Sequence, residues 1–307
     1  MRNRLQYQIA TGRLTLPVAI ILSVILWITA FSDKMEAASF ITGGLVTYLL
    51  IEFNTSFALI RSRSSLPSAL FAILYSSSLF LHEYGKGECW ILLLFMGSLY
   101  CQLKSYELKK ASPYIFHAFL WLGIGSLIEP GVILSAPLMF IMMFQLRSFC
   151  LKTFLAGIVG ICTPYWLIIG YDLYCGNIPV FFTLFDNVLE WNIDIYRNMP
   201  IHHIVTAACV LLLAAISGVN SLITSQSDKV KNRIMIGVIN TIGIYETILI
   251  ILQPHMLKSL LPIVMTMCSI LYGYTMVQKT NKFTNIFMIV SLVIVVLMAA
   301  YNLMINF

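Results

Sequence analysis

The sequence predicts an all-α fold, a polytopic transmembrane helical bundle, and three observations carry that reading. Of 307 residues, 59% are hydrophobic and only 10% are charged, against roughly 25% charged in an average soluble domain. The mean hydropathy is +0.88, too apolar for a chain that must cover its own surface in water. The apolar residues also come in long runs, without the alternation of barrel strands. A soluble multi-domain protein, a disordered chain and a β-barrel are thereby excluded. No internal repeat or low-complexity linker divides the chain, so residues 1–307 read as one integral membrane domain.

A helix needs about 20 residues to cross the hydrocarbon core, with a range of about 17–25. Eleven apolar runs are candidates: Leu14–Phe31, Ala37–Ile60, Leu66–Leu81, Trp90–Leu103, Tyr114–Ile128, Gly131–Leu146, Thr153–Tyr171, Ile204–Thr224, Ile234–Leu252, Ser259–Val277 and Asn285–Met304. The first has a basic lead and is too long for a typical cleaved signal core, so it reads as a retained signal anchor. The fourth spans only if its flanks join it. Glu129-Pro130 splits a longer run into the fifth and sixth. Proline lacks an N–H and disfavours helix just before it, so a turn is expected there; one kinked helix, or two half-helices that do not each cross, are the alternatives. Eleven crossings are expected, with ten as the alternative count.

Charge orients the runs. Cytoplasmic loops of membrane proteins are rich in Lys and Arg. When loops are sorted alternately, only Lys34, Lys86, Arg197 and Lys258 fall on one side, and every other Lys and Arg falls on the other. The N-terminus is therefore expected in the cytoplasm and the C-terminus outside, in a bacterial inner membrane. Most acids fall outside, among them Asp33, Glu36, Glu83, Glu88, Glu129 and Asp172. These are either ordinary solvated loop charges or an outward-facing site that uses carboxylates. The net charge of +6 sits in short juxtamembrane clusters that suit anionic headgroups. No basic stripe with interleaved aromatics points to nucleic acid.

The loop between the seventh and eighth runs is the long one. Within it, a helix near 180–195 is expected, with Thr183, Asp186, Asn187, Glu190 and Asp194 on a narrow polar stripe. Phe181, Phe182, Phe185 and Trp191 lie on its broad apolar face. Such a helix lies in the interface, as an anchor or as a lipid-facing platform. Within the membrane, Glu52, Asn54 and Glu246 are the notable polar residues. Buried carboxylates there face the bundle interior or a water-filled cavity. Glu52 falls toward the cytoplasmic end and Glu246 toward the outer end, so they are not expected to pair.

No metal site and no cofactor are expected. His202 and His203 are adjacent and point about 100° apart on a helix, a poor chelate, and no H-E-x-x-H or C-x-x-C spacing occurs. Nucleotide motifs are also absent. Gly123 and Gly125 form G-x-G inside an apolar helix, where close helix packing explains them better. Cys89 and Cys175 map to the outer side, where an oxidising compartment would permit a bridge.

Between Arg61 and Gly176, the basic turn Arg61–Arg63, Leu66-Pro67, Ser76–Ser78, Pro130, Arg147 and Thr163-Pro164-Tyr165 follow one another in order. This stretch resembles an uncharacterised multi-pass inner-membrane family of Bacteroidota, a likeness that brings no activity or catalytic residues. A fainter likeness is to GT-C polyprenyl-phosphate-sugar glycosyltransferases, in which an acid of the first outer loop serves the catalytic centre and interfacial helices shape the lipid-donor site. That likeness implies Asp33 as general base toward an acceptor hydroxyl, with Glu36 and Glu129 in support, and the 180–195 helix as platform. It also implies a polyprenyl-linked sugar as partner, in envelope or surface-glycan biogenesis. The paired acids of many such enzymes are missing, and the first outer loop is short. A non-enzymatic scaffold bound to another envelope protein, and a small-solute or lipid transporter, are the rival readings.

Overall fold

A computed structural model describes residues 5–29, 37–60, 64–83, 85, 87–108, 110–176, 199–279 and 281–306. Asp33, Glu36 and the expected 180–195 helix, with Phe181, Phe182, Phe185 and Trp191, lie outside the described residues. Twelve α-helices follow in order: α1 (Leu5–Thr11), α2 (Thr15–Thr29), α3 (Ala37–Phe57), α4 (Leu66–Ser77), α5 (Cys89–Lys104), α6 (Ser112–Ile128), α7 (Ala136–Gln145), α8 (Leu151–Tyr174), α9 (Ile201–Ser225), α10 (Val230–Leu252), α11 (Leu257–Gln278) and α12 (Lys282–Asn306). Three 3-10 turns join helices, at Leu79–His82, Pro130–Ser135 and Pro254–Met256. There is no strand among the described residues.

Each of the eleven apolar runs contains a helix. Six are long and apolar enough to cross a membrane: α3, α8, α9, α10, α11 with its preceding turn, and α12. The others are apolar but shorter. Two runs differ from expectation. The run Leu66–Leu81 stays helical only to Ser77, because the hydroxyls of Ser77 and Ser78 both donate to the Leu74 carbonyl, at 2.9 and 3.0 Å, and draw it away from helical continuation. The run Gly131–Leu146 is two pieces. Pro130 opens a 3-10 turn and Pro137 sits in the first turn of α7, so the backbone lacks a donor at each joint. The short α1 was not expected.

α11 is the axis of the bundle. Within it only Lys258, Val277 and Gln278 escape full burial. α4, α9 and α10 make its main contacts, while α1 covers its C-terminal end. Its buried polar side chains are hydroxyls, and several bond inside the bundle: Thr266 to the Pro262 carbonyl at 2.8 Å, and Tyr272 with Ser291 of α12 at 2.6 Å. α12 presents a stripe of Thr284, Phe287, Met288, Ser291, Val295, Met298 and Asn302 to the core, the spacing of one helix face.

The helices run up and down, so their joints collect at two ends. Hydrogen bonds tie one end together: Gln6 donates to the Met276 and Lys279 carbonyls at 2.8 and 2.6 Å, Ser64 donates to Ala10, and Arg147 donates to Glu107 at 2.9 Å. Edge contact of Phe57 with Tyr100 brings α3 and α5 together there. Every described Lys and Arg except Lys258 belongs to this basic end. Glu83, Glu88, Glu129 and Asp172 belong to the other.

Candidate functional site at the acidic end of the bundle

All three 3-10 turns lie at the acidic end. The first two adjoin helices that stop short, and the third joins the full-length α10 and α11. α4 has 12 residues and α7 has 10, about 18 and 15 Å of helix against a hydrocarbon core of about 30 Å. Irregular backbone at membrane depth persists only where protein buries it or where it lines water. The turns therefore set a polar layer into the end of an apolar bundle.

The first turn carries His82, which is buried. Its Nε2 lies 3.1 Å from the Tyr75 carbonyl, which only accepts, so Nε2 bears the proton. Nδ1 then accepts from the Ser39 hydroxyl at 2.9 Å. The Tyr75 ring meets the imidazole edge-on at 4.8 Å. Burial pushes His82 down from 6.5 to about 4, against the opposing pull of the Tyr75 carbonyl, so the ring is neutral at ordinary pH. A 130 Å3 cavity beside it is lined by Ser23, Thr47 and Ser76 among apolar neighbours.

Glu83 follows directly and pairs with Lys258 at 3.2 Å, with side chains 42% and 30% exposed. At that exposure the pair stabilises by only about 0–1 kcal/mol; its interest is position. The His203 ring stacks on Phe80 at 4.3 Å and meets His202 edge-on at 4.4 Å, so α9 closes over the same turn. Gly87 has φ +82°, a left-handed conformation that favours glycine. It turns the chain into α5, with Glu88 at that helix's entrance.

The second turn begins at Glu129, which is half-buried and extended, with φ −130° and ψ 104°. Its N–H still donates to Gly125 at 3.2 Å. At the far end of the turn, Ser135 donates to Oε1 of Glu246 at 2.9 Å, and Tyr245 donates to the Leu134 carbonyl at 2.7 Å. Glu246 is fully buried, and its Oε2 has no hydrogen-bond partner among the described residues. A Cβ on Gly131 would collide with Met256 of the third turn, so the second and third turns pack backbone against side chain.

The expected site residues thus separate. Glu129 and Glu246 belong to this layer. Glu52 is exposed near the C-terminal end of α3, at the basic end. Asn54 is structural: its Oδ1 accepts the Ile60 N–H at 3.0 Å as the chain leaves α3. Sequence reasoning weighed Glu246 alone and had no means of supplying Ser135 as its partner. It placed Glu83 and Lys258 on one side without pairing them. Among the described residues no three of His, Cys, Asp and Glu converge as a metal would require, and Cys89 and Cys175 are free thiols. A cavity of about 680 Å3 near the basic end is lined by Arg13, Asn54, Thr55 and Ser64, at the opposite end from Glu83, Glu88 and Glu129.

Chemically, the layer offers carboxylates of two kinds. Glu83, Glu88 and Glu129 are half-buried, the last at a helix break, while Glu246 is sealed in the bundle. Comparison with protein-family models, curated proteins and solved structures finds no match to this chain.

Proposed function

We propose that this chain is a multi-pass inner-membrane protein of eleven crossings, with its basic end in the cytoplasm and its acidic end outside. We further propose that it serves envelope or surface-glycan biogenesis as a GT-C-like transferase working on a lipid-linked sugar donor. The observation that carries the reading is the polar layer at the acidic end, where 3-10 turns interrupt the helices next to Glu83 and Glu129 and bond Glu246 through Ser135. An acceptor hydroxyl placed against a carboxylate there gains nucleophilicity as its proton moves to the carboxylate oxygen. Asp33 takes that role first, with Glu36 and Glu129 in support, and the apolar face of residues 180–195 holds the polyprenyl chain.

The test is surface-glycan profiling by mass spectrometry. Cells lacking the gene are complemented with wild type, Asp33→Asn, Glu36→Gln or Glu129→Gln at matched membrane levels. The reading expects deletion to remove or truncate a glycan and at least one variant to fail to restore it. Restoration by all three variants points to a scaffold. An unchanged profile on deletion removes the glycan reading altogether.

One observation favours transport as the second reading. Glu246 is a buried carboxyl with an unpaired oxygen, set beside a helix break, and intramembrane acids often mark proton or ion paths. Transport makes Glu246→Gln the disabling substitution and leaves Glu129→Gln active.

A further inference from the structure

α9 and α10 leave a groove of about 270 Å3 over Met267, Cys268 and Leu271 of α11, with Ala214 and Gly218 of α9 and Gly243 of α10 keeping its walls low. Asn240 lines the same groove. It is only 7% exposed, and its carboxamide makes no hydrogen bond among the described residues. A Cβ on Gly218 would stand 2.5 Å from Asn240 Oδ1, so the amide lies across α9 at the one place where a glycine makes room. A carboxamide thus lines an apolar groove with nothing to bond.

Depth decides what belongs there. Asn240 stands near the middle of the 23-residue α10, hence near the middle of the hydrocarbon. An unpaired polar group at that depth is costly, because the hydrocarbon offers it no partner. A phospholipid tail brings no donor or acceptor to the midplane. A helix carrying an amide brings both, and small residues let its backbone come close. The carboxamide is also self-complementary, since it has donors and an acceptor, and a two-fold interface sets the same residue of each copy together at its axis.

We propose that the α9–α10 groove is a self-association surface, closed by a second copy of this chain whose Asn240 carboxamide pairs with this one across a two-fold axis. Ridges of Val219, Leu222, Ile244 and Ile248, all exposed, flank the groove and fill that of the other copy. The proposal is independent of the activity assigned to the acidic end.

The test is energy transfer between donor- and acceptor-labelled copies of the full chain, reconstituted in phosphatidylethanolamine–phosphatidylglycerol vesicles at falling protein-to-lipid ratio. Wild type should show transfer well above random mixing. Asn240→Leu should weaken association roughly threefold to twentyfold, with its thermal unfolding kept, because the amide makes no intramolecular hydrogen bond. Asn240→Gln should retain part of the association. Ala215→Trp, at an exposed position of the groove, should abolish transfer by filling it. Transfer no higher than random mixing in wild type overturns the proposal. So does a dimer indifferent to both Asn240→Leu and Ala215→Trp. A monomer that holds a lipid in native mass spectrometry and loses it on Asn240→Leu overturns it too, by naming a lipid as the occupant.

Discussion

His82 shows how a single side chain ties the polar layer to pH. The fold holds its neutral form, because Nδ1 accepts from Ser39 and burial disfavours the cation. In the unfolded chain the group titrates near 6.5, and in the fold near 4. The folded value is the lower one, so the unfolded chain binds the proton more readily between these values. The stabilisation is therefore complete above about pH 6.5 and is lost as pH falls through 4. Thermal unfolding in lipid, followed from pH 7 to pH 4, should show that slope. His82→Gln keeps a donor for Tyr75 and an acceptor for Ser39 without a titrating ring, and should flatten it. An equal slope in the variant assigns the pH dependence to another group.

At the scale of elements, glycine placement decides which helices lie close. α6 and α8 form the most extensive helix contact of the bundle, and their backbones nearly touch. A Cβ on Gly160 would stand 2.6 Å from the Phe116 carbonyl oxygen, and one on Gly123 would stand 3.0 Å from that of Ile161. Gly170, nearly three turns further along the same α8, faces open space. The same substitution should act with opposite sign at the two sites. Gly160→Ala should lower stability by about 1–3 kcal/mol through overpacking. Gly170→Ala should raise it by about 0.5–1 kcal/mol through helix propensity. Unfolding midpoints of the two variants check the pair, and equal shifts would show that the contact does not hold α6 to α8.

The Gly123-x-Gly125 pattern could be read correctly as packing because no strand or phosphate loop surrounds it. The break at Pro130 was legible for a local reason too, since a proline removes a donor wherever it falls. Contacts distant in sequence were not legible. Ser135 and Glu246 lie 111 residues apart, and no periodicity announces such a pair. Pro137 was overlooked because Pro130 already accounted for the break. Glu52 stood out because its run is apolar; it sits near the end of α3, toward the end the sequence pointed to, and is exposed there.

For the whole molecule, hydropathy recognises the helices but does not say which one is central. α12 is the most apolar of the long helices, and it lies at the periphery with one face on the core. α11 carries Ser259, Thr266, Ser269, Tyr272, Tyr274 and Thr275, and it is the buried axis. In lipid, apolar surface gains nothing by turning inward, whereas hydroxyls gain partners there. The hydroxyl content of α11 was the available signal. The same logic sends charge to the two ends: every described Lys and Arg but Lys258 lies at one, with Glu52, Glu107 and Asp228 beside them, and the remaining described loop acids lie at the other. A bundle so divided has a fixed orientation across the bilayer, and the proposed activity depends on its acidic end facing outward.

Membrane-impermeant maleimide labelling of intact cells tests that orientation most directly. In one variant Cys175, exposed just beyond α8, is the only cysteine retained. In the other, Ser227→Cys between α9 and α10 supplies the single thiol, at an exposed position. The account predicts that Cys175 is labelled in intact cells and that the Ser227→Cys thiol is labelled only after the membrane is opened. Labelling of both from the same side, or the reverse order, would contradict the eleven-crossing arrangement and the outward-facing site with it.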